Sequence, residues 1–236
     1  MDAAAKTVVL EDGAAVPYDK LCLCTGSRPF VPPMEGLDAV ENKTSFMTLD
    51  DAKRLDALLG AGNDRRVLIV GAGLIGLKCA EGIQQRVSEL TVIDLAPRIL
   101  PNVLTEAPAA IIQKHLEGKG VRFLLGDSVA RFEPHTAYLK SGGTVDFDVL
   151  VVAVGVRPNI ELAADTGCAV ERGILIDEHS ATTVSDIYAA GDCTVSHDIA
   201  AETDRILAIL PNAYMQGETA GKAMAGGSAA LTRPSR

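Results

Sequence analysis

The sequence lacks an excess of basic charge. Twenty-two lysines and arginines (22) stand against 31 aspartates and glutamates, leaving a formal net charge of -9 and a pI near 4.9. Neutralising a nucleic-acid backbone needs a clustered basic face, so no nucleic-acid partner is expected. Also missing is any apolar run near the ~18 residues of a membrane span. Met1 is followed by acidic and small residues, with no basic segment leading into an apolar core. A cytoplasmic chain without a membrane partner is expected. Cysteine is scarce and poorly spaced: Cys22, Cys24, Cys79, Cys168 and Cys193 form no C-x-x-C. An odd number without a secretion signal fits reduced thiols and excludes a disulfide framework. Cys22 and Cys24 lie two apart in the strand-like KLCLCTG and share one face. They read as buried small hydrophobes, with metal ligation as the alternative. His115, His135, His179 and His197 are scattered without ligand spacing, so solvated or helix-terminal roles are expected and no metal site is.

What remains is ordinary for a protein with a real core: 47% hydrophobic and 22% charged side chains over 236 residues, enough for one or two domains. The most informative stretch is residues 66 to 94, RRVLIVGAGLIGLKCAEGIQQRVSELTVID. Val67 to Val70 is a continuous apolar run, as in a parallel strand covered on both faces. Gly71 then permits a sharp turn, Gly73 a close backbone approach to a pyrophosphate, and Gly76 tight packing of the new helix on its strand. Leu74 and Ile75 open that helix, whose unpaired N–H groups and positive dipole end suit phosphate oxygens. Leu90 to Ile93 forms the next strand and delivers Asp94 about 20 residues beyond the glycines, where a carboxylate meets ribose hydroxyls. The unit predicts a dinucleotide site favouring NAD(H) over NADP(H), tempered by nearby Arg98.

Elsewhere the pattern organises the chain. Thr7 to Leu10 and Tyr18 to Cys24 flank the turn-rich EDGAAVP and read as a hairpin. RPFVPPMEGLD, with three prolines, reads as a crossing between domains. Ser45 to Leu59 is helical, with Leu49, Ala52, Leu55 and Leu58 on its apolar spacing. Asn102 to Gly118 is a second helix, with Pro108 near its effective start. Val121 to Leu125 is a strand. Ser128 to Phe132, Thr136 to Lys140 and Thr144 to Phe147 form a β-meander. Val149 to Val154 returns to the parallel sheet, and Gly155 and Arg157-Pro158-Asn159 break it. Ile174 to Asp177 and Ile187 to Ala190 are further strands, and Pro211 to Met224 is a helix.

Four segments in this order, LCLCTGSRP, VLIVGAGLIGLKCAEGI, VVAVGVRPN and TTVSDIYAAGDC, followed by ILPNAYMQGETAGKAMAGG, resemble the pyridine nucleotide-disulfide oxidoreductase superfamily of flavoproteins. The likeness runs to the branch of NADH oxidases, ferredoxin- and rubredoxin-type reductases and the flavin part of nitrite reductases. It implies an α/β fold: a Rossmann-like NAD-binding domain, parallel sheet plus β-meander, inserted into an incomplete FAD-binding domain. The expected boundaries are 1–32 and 157–236 for the FAD-domain segments and 33–156 for the NAD(H)-binding domain.

The resemblance also implies that Thr25 and Gly26, with Arg28 in the same loop, touch FAD, and that Gly155 plays the equivalent role beside NAD. Asp192, presented by Gly191, would accept hydrogen bonds from the ribityl hydroxyls. Pro211 and Asn212 would begin the helix beneath the flavin pyrimidine. Implied activity is hydride transfer from NADH to FAD and on to an acceptor: a small molecule, a disulfide or a redox protein. No side-chain acid or base is obligatory, so no catalytic residue is nominated. The alternative is a nucleotide-binding module, or an inactive truncation, without flavin chemistry.

Two departures stand out. No G-x-G-x-x-G precedes Gly71, and the dimerisation domain that would make the full-length parent a possible homodimer does not follow, so the chain reads as truncated at both ends. Lys78 stands where many relatives carry glutamate. It is expected either to contact a cofactor or to lie on the helix surface, paired with Glu81. A short-chain dehydrogenase is excluded, because none of Tyr18, Tyr138, Tyr188 or Tyr214 has lysine four residues later.

Overall fold

A computed structural model describes residues 1–198 and 202–231. Its contacts divide the chain into two compact units: residues 1–28 with 157–236, and residues 29–156. The second is continuous and carries the glycine-rich loop.

In the continuous unit, five parallel strands stand in the order Lys43–Thr44 (β5), Val149–Val152 (β12), Arg66–Val70 (β6), Glu89–Asp94 (β7) and Val121–Leu125 (β8). The apolar strands are continuous because both faces are covered. Val67, Ile69, Val92, Val149 and Val151 pack under Leu49–Leu59 (α1), Leu74–Ile83 (α2) and Glu106–Glu117 (α3). Leu68, Val70, Ile93, Leu150 and Val152 face the opposite way. There they meet the antiparallel meander of Val129–Glu133 (β9), Thr136–Leu139 (β10) and Thr144–Asp146 (β11), whose Phe132 and Phe147 rings meet edge to face at 6.1 Å. Each fully buried Leu or Ile of β6 and β12 stabilises the unit by roughly 1.5–3 kcal/mol.

The helix ends follow local chemistry. Helix α1 begins four residues later than its apolar spacing suggests, because Thr48 and Asp51 form a reciprocal capping box. Its buried residues are therefore Leu55 and Leu59, whereas Leu49, expected on the apolar face, is 71% exposed. Helix α3 starts at Glu106, so Pro108 lies in its first turn, where no intrahelical N–H is needed.

The discontinuous unit corrects one expectation. Thr7–Val9 (β1) pairs with Ala15–Pro17 (β2), inside the stretch read as a turn, and not with the strand after Tyr18. That strand, Leu21–Leu23 (β3), instead pairs in parallel with Ile187–Ala189 (β15), some 165 residues away, with Cys22 opposite Tyr188. Only its β15 side is paired among the described residues, so Cys24 is exposed and Cys22 half-buried, correcting the expectation that both are buried. Thr194–Asp198 (β16) and Thr203–Arg205 (β17), unforeseen in the sequence, pair antiparallel, and Ile174–Leu175 (β14) runs parallel to β16. The short helix Glu161–Ala164 (α4) and the longer Leu210–Met224 (α5) complete this unit. Ser27–Pro29 (β4) and Val156–Pro158 (β13) are short strands at the two chain crossings.

Candidate functional site

The glycine-rich loop joins β6 to α2, and each glycine has a distinct geometric reason. Gly71 has φ 116°, a region that disfavours any side chain, and a Cβ there would lie 2.3 Å from the Ala153 carbonyl oxygen. At Gly76 a Cβ would fall 2.0 Å from the Gly71 carbonyl oxygen, so the helix packs against its own entry turn. Gly73 differs: its φ is -78° and nothing lies within 4 Å of a Cβ built on it. Neither fold nor backbone requires glycine at this point, and the space beside it is open. Gly73 also forms the N-cap of α2, and no side chain caps that helix. The N–H groups of its first turn, at Leu74, Ile75 and Gly76, point to where an anion is stabilised by the helix end.

Asp94 ends β7 beside this loop. Its Oδ2 accepts from the Ala72 N–H at 2.6 Å and its Oδ1 from the Ala96 N–H at 2.8 Å. The carboxylate is thus tied to the glycine-rich loop, with lone pairs left on both oxygens for further donors. Arg98 is held elsewhere: Nη2 donates to the Pro101 carbonyl at 3.0 Å and Nε to that of Leu104 at 3.3 Å. The guanidinium expected to temper NAD selectivity is engaged by backbone. Leu100 locks this segment onto the loop, donating its N–H to the Ala72 carbonyl at 2.9 Å. Gly155, the last sheet-end glycine of this unit, has φ 123°, and its carbonyl accepts from the Phe30 N–H at 2.9 Å. The Lys78 ammonium pairs with Glu81 at 2.6 Å on the exposed face of α2, and this pairing holds the Glu81 carboxyl below its ordinary range.

The discontinuous unit gathers a second group. The Thr25 hydroxyl donates to the Asn159 carbonyl at 2.6 Å, the Asn159 amide donates to the Thr25 carbonyl at 2.8 Å, and the Asn159 N–H donates to that of Gly26 at 2.9 Å. Gly26 has φ 64°. Arg28 donates to the Asn159 side chain at 2.6 Å and pairs with Glu161 at 2.7 Å, depressing the Glu161 carboxyl. Asn159 is the hub of this loop, a role hidden in the sequence because its partners are some 134 residues away.

At the end of β15, Gly191 with φ 87° presents Asp192, whose Oδ2 accepts from the Ser27 hydroxyl at 3.2 Å. The structure therefore brings Asp192 and the loop after β3 together. Behind them lies Gln216 of α5, fully buried and missed by sequence reasoning. Its Oε1 accepts from the Gly191 N–H at 2.8 Å and the Thr194 hydroxyl at 3.0 Å, while Nε2 donates to the Ser196 hydroxyl at 3.2 Å. The amide is the buried strut that fixes the Gly191-Asp192 turn to α5. Pro211 stands in the first turn of that helix, and the Asn212 amide donates to the Leu207 carbonyl at 3.1 Å, closing the entry to it. Among the described residues no cluster of His, Cys, Asp or Glu could hold a metal ion, and no helix is long and apolar enough to cross a membrane.

Known proteins share this arrangement. Residues 1–217 match the family model described as pyridine nucleotide-disulphide oxidoreductase. The chain is 35% identical over 213 residues to an NADH oxidase of Methanocaldococcus jannaschii, covering 89% of this chain and 47% of that protein. It is 30% identical over 244 residues to rubredoxin-NAD(+) reductase of Pseudomonas putida, covering 100% of this chain and 62% of that protein. A FAD-dependent pyridine nucleotide-disulphide oxidoreductase from Desulfovibrio vulgaris superposes with a TM-score of 0.85 at 31% identity, over 98% of this chain and 61% of that one. The chain spans about half the length of the curated relatives it matches first.

Proposed function

Because the chain belongs to the pyridine nucleotide-disulphide oxidoreductase family, we propose that it forms the NADH-binding and flavin-contacting part of an FAD-dependent oxidoreductase. When both cofactors are bound, the reduced nicotinamide supplies a hydride, the flavin ring takes it up, and the electrons pass on to an acceptor. The observation that carries the reading is Gly73, open on its Cβ side at the head of an uncapped helix and beside the Asp94 carboxylate. That is the donor set, clearance and charge a pyrophosphate-linked ribose needs.

The chain's own residues bind and orient. The N–H groups from Gly73 to Gly76 hold diphosphate oxygens. Asp94 accepts ribose hydroxyls and repels a 2′-phosphate, and Arg98, tied to the Pro101 and Leu104 carbonyls, does not offset that repulsion. Gly155 leaves the sheet end clear for the nicotinamide half. In the discontinuous unit, Asp192 would accept hydrogen bonds from the ribityl hydroxyls, Thr25, Gly26 and Arg28 would contact FAD, and the positive helix end at the α5 start, with Asn212, would stabilise the reduced flavin. Orientation supplies the catalysis, since hydride transfer asks for a near-contact geometry and no obligatory proton.

A second reading has its own support: residues 29–156 are continuous and hold every residue of the NADH site, so they also fit a nucleotide-binding module. Titrating the chain with NADH and with FAD separates the two. Retention of both cofactors, with flavin bleaching on anaerobic NADH addition, supports the oxidoreductase. Binding of NADH alone supports the module. Asp94→Arg is expected to weaken NADH and improve NADPH binding, each by about tenfold, or ~1.4 kcal/mol. Equal loss of both would reject Asp94 as the reader of the ribose.

A further inference from the structure

Cys22 lies in β3 and Cys24 one residue past its end, and the two thiols meet. Their sulfurs stand 3.6 Å apart, each the other's hydrogen-bond partner. Cys24 is exposed and Cys22 half-buried. The other cysteines differ on every count. Cys79, Cys168 and Cys193 are buried, Cys193 donates to the Leu23 and Ala190 carbonyls, and Cys168 to the Thr182 hydroxyl. One solvent-reachable dithiol thus stands out in a chain whose remaining thiols are packed away.

We propose that Cys22 and Cys24 form a reversible oxidation site, closing an intramolecular disulfide at the C-terminal end of β3 when the chain meets a small disulfide. The geometry admits the bond. The sulfurs need to close from 3.6 Å to about 2.05 Å, which draws the Cβ atoms to within ~3.5–4.5 Å and takes a backbone adjustment at Cys24, just past the end of β3. The order of events follows exposure. The Cys24 thiolate attacks one sulfur of the small disulfide, forming a mixed disulfide and releasing one thiolate. The Cys22 sulfur then attacks the Cys24 sulfur, giving up its proton to solvent, and the second thiolate leaves. Two protein thiols are oxidised to one disulfide, and one small disulfide is reduced to two thiols.

Cys22 is suited to the second role and not the first. Burial, then the adjacent Cys24, push its thiol up to about 12, so it is a poor nucleophile toward an oxidant in solution. Delivered next to a mixed disulfide on Cys24, it needs no diffusional encounter.

The test incubates the native chain with oxidised glutathione and follows intact mass and non-reduced peptides. The expected product has lost two hydrogens, links Cys22 to Cys24, leaves Cys79, Cys168 and Cys193 as thiols, and reverts with dithiothreitol. Cys22→Ser is expected to stop at a stable glutathione adduct on Cys24. A wild-type chain that keeps glutathione on Cys24 as stably as Cys22→Ser does would overturn the proposal. So would one whose Cys22 and Cys24 remain fully alkylated by iodoacetamide after oxidation. The alkylation measurement needs only the wild type and decides the matter even where the variant fails to fold.

Discussion

At the scale of single residues, the three glycines of the β6–α2 loop separate folding from binding. Gly76→Ala puts a methyl 2.0 Å from the Gly71 carbonyl and forces the helix off its strand. A loss of about 1–3 kcal/mol is expected, as for other overpacked sites, and NADH binding should fall with it. Gly73→Ala meets nothing within 4 Å. Its stability should be unchanged, or slightly raised by the smaller entropy of the unfolded chain. NADH affinity should still drop by about tenfold, because the methyl occupies the approach of the diphosphate. Chemical denaturation and NADH titration on both variants check this contrast. A Gly73→Ala chain that binds as well as wild type would place the dinucleotide elsewhere. Gln216 makes the matching case in the other unit. Gln216→Leu leaves the Gly191 N–H, Thr194 and Ser196 without their amide partner in a dry interior. A cost of about 3 kcal/mol is expected, read as a shifted denaturation midpoint.

At the scale of elements, the signals that were legible in the sequence are the local ones. Strands β6, β7 and β12 announce themselves because their apolar runs must be covered on both faces, and the helices and meander that cover them are consecutive in the chain. The glycine loop and Asp94 lie within this same stretch, so the turn, the helix start and the strand-end carboxylate follow from local sequence. Strand β3 was misassigned for the opposite reason. Its partner β15 is distant in sequence, and the nearby Ala15–Pro17 ends in a proline that suits a sheet edge but reads as a turn. Asn159 and Gln216 were invisible as site residues for the same cause, since a polar side chain's partners are set by tertiary packing and not by spacing.

Polar anchoring at element ends also carries a pH dependence. Asp148, in the turn before β12, accepts from the Arg66 N–H at 2.9 Å and from its guanidinium at 3.0 Å and 3.2 Å. The Arg66 hydrogen bond, against the opposing effect of burial, holds the Asp148 carboxyl below its ordinary value. A carboxyl depressed in the folded state adds stability that is fully present above its unfolded value, and loses it as the pH falls through the folded one. Asp148→Asn should therefore cost about 1 kcal/mol at neutral pH and nearly nothing once the pH has fallen through the lowered value of the wild-type carboxyl and protonated it. Denaturation midpoints of the two chains should converge as the pH falls, and parallel curves would show that the pair does not stabilise the fold.

At the scale of the whole molecule, the two units differ in how the chain builds them. The unit of residues 1–28 and 157–236 closes only when distant segments meet, as in the parallel pairing of β3 with β15. Residues 29–156 close over shorter separations, the widest being β12 against β5 and β6, about 107 and 82 residues apart, and the five-stranded sheet, both of its covering layers, the glycine loop, Asp94 and Gly155 all lie inside one uninterrupted stretch. Short loop closures cost less entropy than long ones, and a polypeptide of this length can bury an adequate core. Expressed alone, residues 29–156 should unfold in one cooperative transition and bind NADH within about threefold of the intact chain, a difference under ~1 kcal/mol. The same polypeptide should show no FAD affinity, since Thr25, Gly26, Arg28, Gly191, Asp192 and Asn212 are all absent from it. Saturating NADH should raise its midpoint by the mass-action amount, about 2.7 kcal/mol at a hundredfold excess over Kd. A non-cooperative transition, or a midpoint indifferent to NADH, would mean that the dinucleotide site draws on residues outside this stretch.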